Sequence, residues 1–552
     1  MSERIKAGAY VGVAGALSVA ALPVAAYLAA GFDAADPRWW SWLLEYMLAT
    51  RELPPALLYT LGGWAVATAA AIAFNPFSFA RDDYGAASFA RPSMLRKMGL
   101  TARSGVVLGR VGRRLLIYDR PLSTLVLAPP GAGKTAGVAI PTLLSFRGSV
   151  LVNDPKGEMF EATAGWRSRL GKVYRIEWSK GGKSTRWNPL SPTSLPQDPA
   201  ELEIAVDRLA AIFVAADKAK GEDFWVKAGR DLLSAAILFH VYEAKRTGTE
   251  ATLAGVLSWL AVDAPAEGGE DEEINDPVAM HFRRAAGVAE IEGYPCRITD
   301  ALKSIANLNY RTRADVIKTV EAGLRVFRNS AVAEATSRSD FDLRELRAGG
   351  RPVSVYVVVP PADMDVFGPI TGALMELAGK AAVSTSKGHP LLFLLDELAF
   401  IPELDIVKKG PAIGRGANVR FILIAQDAGQ LVERYGKTGL DTILTTTAYK
   451  VVLTQNHHET QAMISRMVGN TTRRRVSVTR QGASGLFGRS SKSEGLEGVP
   501  LVRPEDLGSM RMGHQLVIAQ EFVRHPIKSR SAFYFRDWRL MWRARISPPR
   551  DV

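Results

Sequence analysis

Two uninterrupted apolar runs open the chain, and a finer alternation takes over after them. Residues 7–30 and 54–77 contain no Asp, Glu, Lys or Arg. A helix of ~20 apolar residues crosses the hydrocarbon layer, so both runs are predicted to be transmembrane helices. The stretch between them, 31–53, holds Trp39, Trp40, Trp42 and Tyr46, the aromatics expected at a membrane interface. Arg4 and Lys6 precede the first run, and Arg81, Arg91, Arg96, Lys97 and Arg103 follow the second. The positive-inside bias then places both termini in the cytoplasm and the Trp-rich loop outside. A rival reading makes the first run a cleaved signal peptide, cut near Ala29 and Ala30. The second run would still deliver everything after residue 80 to the cytoplasm.

From about residue 93, short apolar segments alternate with helical ones. Strands are predicted over 123–128, 149–153, 172–177, 353–359, 391–395, 420–425 and 449–453. Near-continuous apolar runs bounded by Gly and Pro suit a mostly parallel sheet covered on both faces. Residues 188–325 lack convincing strands and show helical spacing, as in Phe224, Trp225 and Val226 followed by Leu232, Leu233, Ala236 and Ile237. The organisation expected is a membrane anchor over 1–80, the first part of an α/β domain over 81–187, an all-α domain over 188–325 and the second α/β part over 326–552.

Composition narrows the partners. At 552 residues the chain exceeds a single core. Its formal net charge of +13 suits nucleic acid or an anionic membrane surface. Cys296 is the one cysteine, which excludes an intrachain disulfide and a Cys-cluster metal site.

The chemistry concentrates at strand ends. After the apolar Leu125, Val126 and Leu127 comes Ala128-Pro129-Pro130-Gly131-Ala132-Gly133-Lys134-Thr135, a phosphate-binding loop opening a helix. Small residues let backbone N–H groups curl around a phosphate, and the helix N-terminus adds a favourable dipole. Pro130, Gly131, Ala132, Gly133, Lys134, Thr135 and Ala136 are thus the candidate nucleotide-binding residues. Lys134 would bridge the outer phosphates, and Thr135 would place its hydroxyl on Mg²⁺. A second strand, 391–395, ends in Asp396-Glu397. Strand-tip acids meet ligands at the carboxyl edge of a parallel sheet. Asp396 would hold Mg²⁺ through water, and Glu397 would polarise an attacking water, a role suited to ATP hydrolysis. The strand at 420–425 ends in Gln426, which could contact a terminal phosphate. Arg415, between Gly414 and Gly416, could reach a neighbouring subunit's ATP as an arginine finger. The fold class expected is a RecA-like P-loop NTPase domain with an inserted all-α domain and two N-terminal transmembrane helices.

These residues, in this order, resemble the type IV secretion coupling proteins, the conjugative DNA-transfer ATPases of bacterial inner membranes. The resemblance runs through 84–90 (YGAASFA), the phosphate loop with Ile140-Pro141-Thr142-Leu143-Leu144 behind it, and 152–158 (VNDPKGE). It continues through Trp187-Asn188-Pro189-Leu190, Phe224-Trp225 and 425–431 (AQDAGQL). Membership implies a homo-hexamer with ATP sites at subunit boundaries and a channel for single-stranded DNA, with or without a relaxase. It also implies secreted effector proteins as possible cargo, channel subunits as partners, and an all-α domain that recruits substrate. Lys134, Thr135, Asp396, Glu397, Arg415 and Gln426 fall on the matching motif positions, whereas Asp427 stands where many members have Ser. The alternative is a chromosome-segregation DNA translocase with the same motor.

Other features have plainer readings. Residues 470–498 carry Arg473, Arg474, Arg475, Arg480 and Arg489, which could touch DNA phosphates or line an exposed hairpin. The acidic run 270–273 reads as a solvated loop, His457-His458 as structural or exposed, and 515–519 as a strand completing the sheet.

Overall fold

The computed structural model describes residues 31, 36, 38–52, 54–55, 84–215, 224–262, 276–385, 388–480 and 490–549. The chain divides into a unit over Met1–Asp82 and a larger one over Asp83–Val552. In the first, Arg38–Thr50 is a helix, with the Trp42 and Tyr46 rings 5.4 Å apart. Pro and Gly are absent from it, which explains a helix where the sequence suggested only a connecting loop. Among the described residues no helix is long and apolar enough to cross a membrane. The apolar runs 7–30 and 54–77 lie, but for 54–55, outside the described residues.

The larger unit is organised on an 11-stranded sheet. In chain order its strands are β1 (Val106–Val111), β2 (Arg114–Tyr118), β3 (Thr124–Leu127), β4 (Ser149–Asn153), β5 (Lys172–Ile176), β6 (Val353–Val357), β7 (Leu391–Leu395), β8 (Val419–Ala425) and β9 (Tyr449–Val452). A separate hairpin, β10 (Asn470–Arg480) and β11 (Ser490–Pro500), precedes the last two sheet strands, β12 (His514–Ala519) and β13 (Ile527–Arg530). The spatial order is β2-β1-β13-β12-β9-β3-β8-β7-β4-β6-β5. From β9 to β5 every neighbour is parallel. From β12 to β2 every pairing is antiparallel.

All seven predicted strands belong to the parallel part. Six of them are buried throughout, as strands covered on both faces are, whereas β5 at the sheet's edge leaves Lys172 exposed and Tyr174 and Arg175 half-buried. Alternate side chains still feed different cores: Leu125 and Leu127 join the cluster shared with the helices after β5, while Val126 joins the one under the phosphate-loop helix. The expected strand at 515–519 is β12. The sequence reading missed β1, β2 and β13, where Arg110, Arg113, Arg114, Lys528 and Arg530 interrupt the apolar pattern.

Between β5 and β6 the described regular elements are helical, from Pro199–Phe213 to Glu345–Ala348. Side-chain caps from Asp198, Thr252, Asp276, Asn309 and Asn329 satisfy N–H groups at their starts. Buried Arg313 pairs with Asp276 and donates to the Ala306 and Leu308 carbonyls, tying three helices' ends together. The acidic run 270–273 lies outside the described residues, as does the hairpin tip, 481–489. The base of the hairpin is held by the 84–90 segment, whose Ala87 N donates to Asn470 O at 3.0 Å.

A buried lysine sits within the sheet. Lys450 on β9 lies level with Leu125 and Ile518, is 4% exposed, and donates from Nζ to Thr447 O at 2.6 Å. Burial pushes its ammonium down to about 8 from 10.5. A lysine held below its unfolded value penalises the fold fully below pH 8, and the penalty fades as pH rises towards 10.5. Native stability relative to Lys450→Met should therefore improve by about 3 kcal/mol between pH 7 and 11. Denaturant titrations across that range test it, and parallel curves for the two proteins would contradict it.

Candidate functional site

Four adjacent parallel strands deliver their carboxyl ends to one edge. Leu127 of β3 is level with Ala425 of β8, Leu423 of β8 with Leu395 of β7, and Leu395 with Asn153 of β4. The residues just beyond those ends therefore face the same space, where ligands of open α/β sheets bind. They are the phosphate loop, Gln426, Asp396 with Glu397, and Asn153 with Asp154.

The loop after β3 turns on Gly131 (φ +77°) and Gly133 (φ +85°), conformations that L side chains rarely adopt. At Gly131 an added Cβ would stand in open space, but at Gly133 it would come within 2.8 Å of Phe533 Cε1. The helix begins with a π-type turn, Thr135–Ala139, and continues over Ile140–Ser145. Pro141 has no N–H to offer the carbonyls behind it, and the Gly137 carbonyl accepts from Ala532 N at 3.1 Å.

Lys134 closes the site. Only 8% exposed, its Nζ forms an ion pair with Asp396 Oδ1 at 3.1 Å and a shorter one with Glu397 Oε1. Burial pulls the ammonium down, but the two carboxylates outweigh it and hold it above its ordinary value. Burial pushes Asp396 up despite Lys134 beside it. One ammonium cannot balance two ionised acids out of water, so the lysine keeps its charge and the more deeply buried acid bears the cost. Glu397 adopts φ +55°, uncommon for a residue with a Cβ and a form of strain concentrated at functional sites. Its Oε2 accepts from Gln426 Nε2 at 3.3 Å, and its N–H donates to Asp396 Oδ1 at 3.0 Å.

The structure thus gathers Lys134, Asp396, Glu397 and Gln426 into one hydrogen-bonded cluster beside the glycine loop. Thr135 and Ala136 stand at the first turn, partly exposed, with exposed Pro130 and Gly131 at the rim and Ala132 buried. Arg415 is not among them. It lies exposed on the loop entering β8, at the opposite edge of the sheet, lining a cavity of about 330 Å³ with Arg120, Tyr449 and Glu521. Asp427 caps the helix Ala428–Thr446 by accepting from Gln430 N at 2.9 Å. His457 caps His458–Val468, and no group of three potential metal ligands is found among the described residues.

Two contributors lie in the 152–158 segment, for which the sequence offered a resemblance but no site role. Asn153 Nδ2 donates to Asp396 O at 2.6 Å, fixing the backbone of the acidic pair, and its buried Oδ1 has no partner among the described residues. Asp154, 1% exposed, accepts from Phe160 N at 2.8 Å, and burial pushes its carboxyl up to about 6. The available signal was a second apolar strand ending in polar residues, Asn153-Asp154.

The residues fit a magnesium nucleotide. Beside a glycine loop that opens a helix, one cation and two acids, the donor types that phosphate and Mg²⁺ call for, meet at the carboxyl edge of the sheet.

Comparison with known proteins is consistent with this geometry. A family profile described as type IV secretory system conjugative DNA transfer matches residues 89–549. The conjugal transfer protein TraG of Escherichia coli is 28% identical over 465 residues, 79% of this chain and 71% of that protein. Protein VirD4 of Agrobacterium fabrum is 28% identical over 473 residues, 83% of this chain and 66% of VirD4. A solved structure of the plasmid coupling protein TrwB in complex with ADP and Mg²⁺ superposes with a TM-score of 0.56 at 15% identity, covering 81% of this chain and 94% of that one.

The Gly133 contact gives a direct test. Gly133→Ala adds both backbone strain and the clash with Phe533, whereas Gly131→Ala adds strain alone. The first should cost roughly 1–3 kcal/mol more in stability than the second. Thermal unfolding of both variants decides, and equal losses would refute the packing argument.

Proposed function

The chain belongs to the type IV secretory system conjugative DNA-transfer family, and from that premise we propose that it is a coupling ATPase, hydrolysing ATP to drive DNA, nucleoprotein or effector protein into a secretion channel. The observation that carries the reading is the cluster of Lys134, Asp396, Glu397 and Gln426 beside the glycine loop.

In this reading the backbone N–H groups of Gly131 to Thr135 hold the phosphates, with the first helical turn pointing its dipole at them. Thr135 and Asp396 would hold Mg²⁺, which when bound would screen the phosphate oxygens and stabilise charge developing on the leaving group. Lys134 exchanges its carboxylate partners for phosphate oxygens, exchanging one set of charge-assisted bonds for another. That exchange frees Glu397 to hold and polarise the attacking water, with Gln426 fixing its carboxylate. Arg415 supplies charge to the site of a neighbouring subunit. Its position at the far edge of its own sheet supports a trans role, and with it a homo-hexamer whose ATP sites lie at subunit boundaries.

The runs 7–30 and 54–77 anchor the protein in the bacterial inner membrane, with both termini and the motor in the cytoplasm; their length and flanking charges support this. The helical segment 188–325 acts as a domain that receives cargo, and the arginines at the hairpin base, Arg473 and Arg475, add phosphate contacts for DNA.

Lys134→Ala should abolish both ATP hydrolysis and DNA transfer. Glu397→Gln should bind ATP with hydrolysis reduced about 10²-fold or more. Normal transfer in a Lys134→Ala strain would end the coupling reading. Mixing Arg415→Ala with Lys134→Ala subunits tests the trans role, because some boundaries then combine an intact loop with an intact arginine. Activity should reappear in the mixture, and two inactive proteins that remain inactive together would count against it.

A further inference from the structure

The segment after β13 is fastened to the phosphate loop at three consecutive residues. Ala532 N donates to the Gly137 carbonyl, Ser531 packs so closely that a Cβ at Gly137 would meet its own Cβ at 2.8 Å, and the Phe533 ring seals Gly133. Phe533 is 7% exposed. A short turn, Tyr534–Arg536, then brings Phe535 back over it, the two rings lying 5.3 Å apart and within 14° of parallel. Tyr534 meets Phe535 edge-on at 5.4 Å, and the Arg536 guanidinium stands 5.2 Å from the Phe533 centroid. Phe535 nevertheless remains 50% exposed. An aromatic ring is thus packed against two other rings, one of which touches the phosphate-loop glycine Gly133, with half of its surface open to solvent.

Resting on the nucleotide reading above, we propose that Phe535 is the platform on which the purine base of the bound triphosphate stacks. The loop secures the phosphate end, and the base, one sugar away, needs an apolar flat surface close by. Aromatic side chains stack on bases through their faces, so such a platform reads ring area and not the edge pattern of hydrogen-bond groups. It favours purines over pyrimidines and distinguishes adenine from guanine poorly.

The test uses the full-length chain in detergent and measures binding, not turnover, of ATP, GTP, CTP and inorganic tripolyphosphate by calorimetry. Phe535→Ala should weaken ATP and GTP roughly ten-fold, leave tripolyphosphate unchanged and bring ATP down to the level of CTP. Phe535→Trp should restore ATP affinity. Unchanged ATP affinity in Phe535→Ala overturns the proposal, including the case in which only the oligomeric state shifts and the ring serves subunit contact. Equal weakening of ATP and tripolyphosphate also overturns it, because the ring would then merely support the loop. A native chain that binds neither ATP nor tripolyphosphate would instead bring down the nucleotide reading itself.

Discussion

One buried ammonium between two strand-tip carboxylates governs this molecule's chemistry. Lys134 reaches Asp396 and Glu397 only because the loop after β3 and the end of β7 lie two strands apart at the same edge, with β8 between them. Taking such a cluster out of water is costly, and removing one member of a buried ion pair typically costs about 3–5 kcal/mol. An arrangement of that kind persists where the fold holds it in place for another purpose. Here a lysine satisfied by acids can be re-satisfied by phosphate, and the acids it releases can turn to a metal ion and a water molecule.

Everything around the cluster restricts how it can move. Asn153 pins the Asp396 carbonyl from β4, Gln426 reaches Glu397 from β8, and the left-handed backbone at Glu397 aims its side chain back across the edge. Parallel register gives this precision: a shift of one residue in β7 would turn Asp396 to the other face of the sheet. The antiparallel strands on the far side of β9 have a different use. They carry residues 531–533 back to the phosphate loop, where Ala532 takes up the Gly137 carbonyl beside Pro141 and Phe533 closes against Gly133.

Much of this was legible in advance, for reasons particular residues make clear. The inner parallel strands announced themselves because burial on both faces favours apolar runs, as in Leu391 to Leu395. The phosphate loop was legible because its chemistry needs Gly131, Gly133, Lys134 and Thr135 consecutively in the chain. Strands β1, β2 and β13 were not, because strands nearer the sheet's margin tolerate Arg110, Arg114 and Lys528 and lose the pattern. The roles of Asn153 and Phe533 were equally silent. An asparagine after a strand and a phenylalanine near a terminus have many fates.

By itself, then, the sequence determined which short segments could bind phosphate, carry acid or lie buried in a sheet, since these depend on neighbours a few residues apart. Tertiary structure decided that Lys134 touches Glu397, 263 positions further along the chain, and that Arg415 stands at the edge of the sheet opposite its own subunit's site. It also decided that Phe533 seals Gly133. Those outcomes depend on strand order and register, which arise from the packing of distant segments and leave no local periodicity to read.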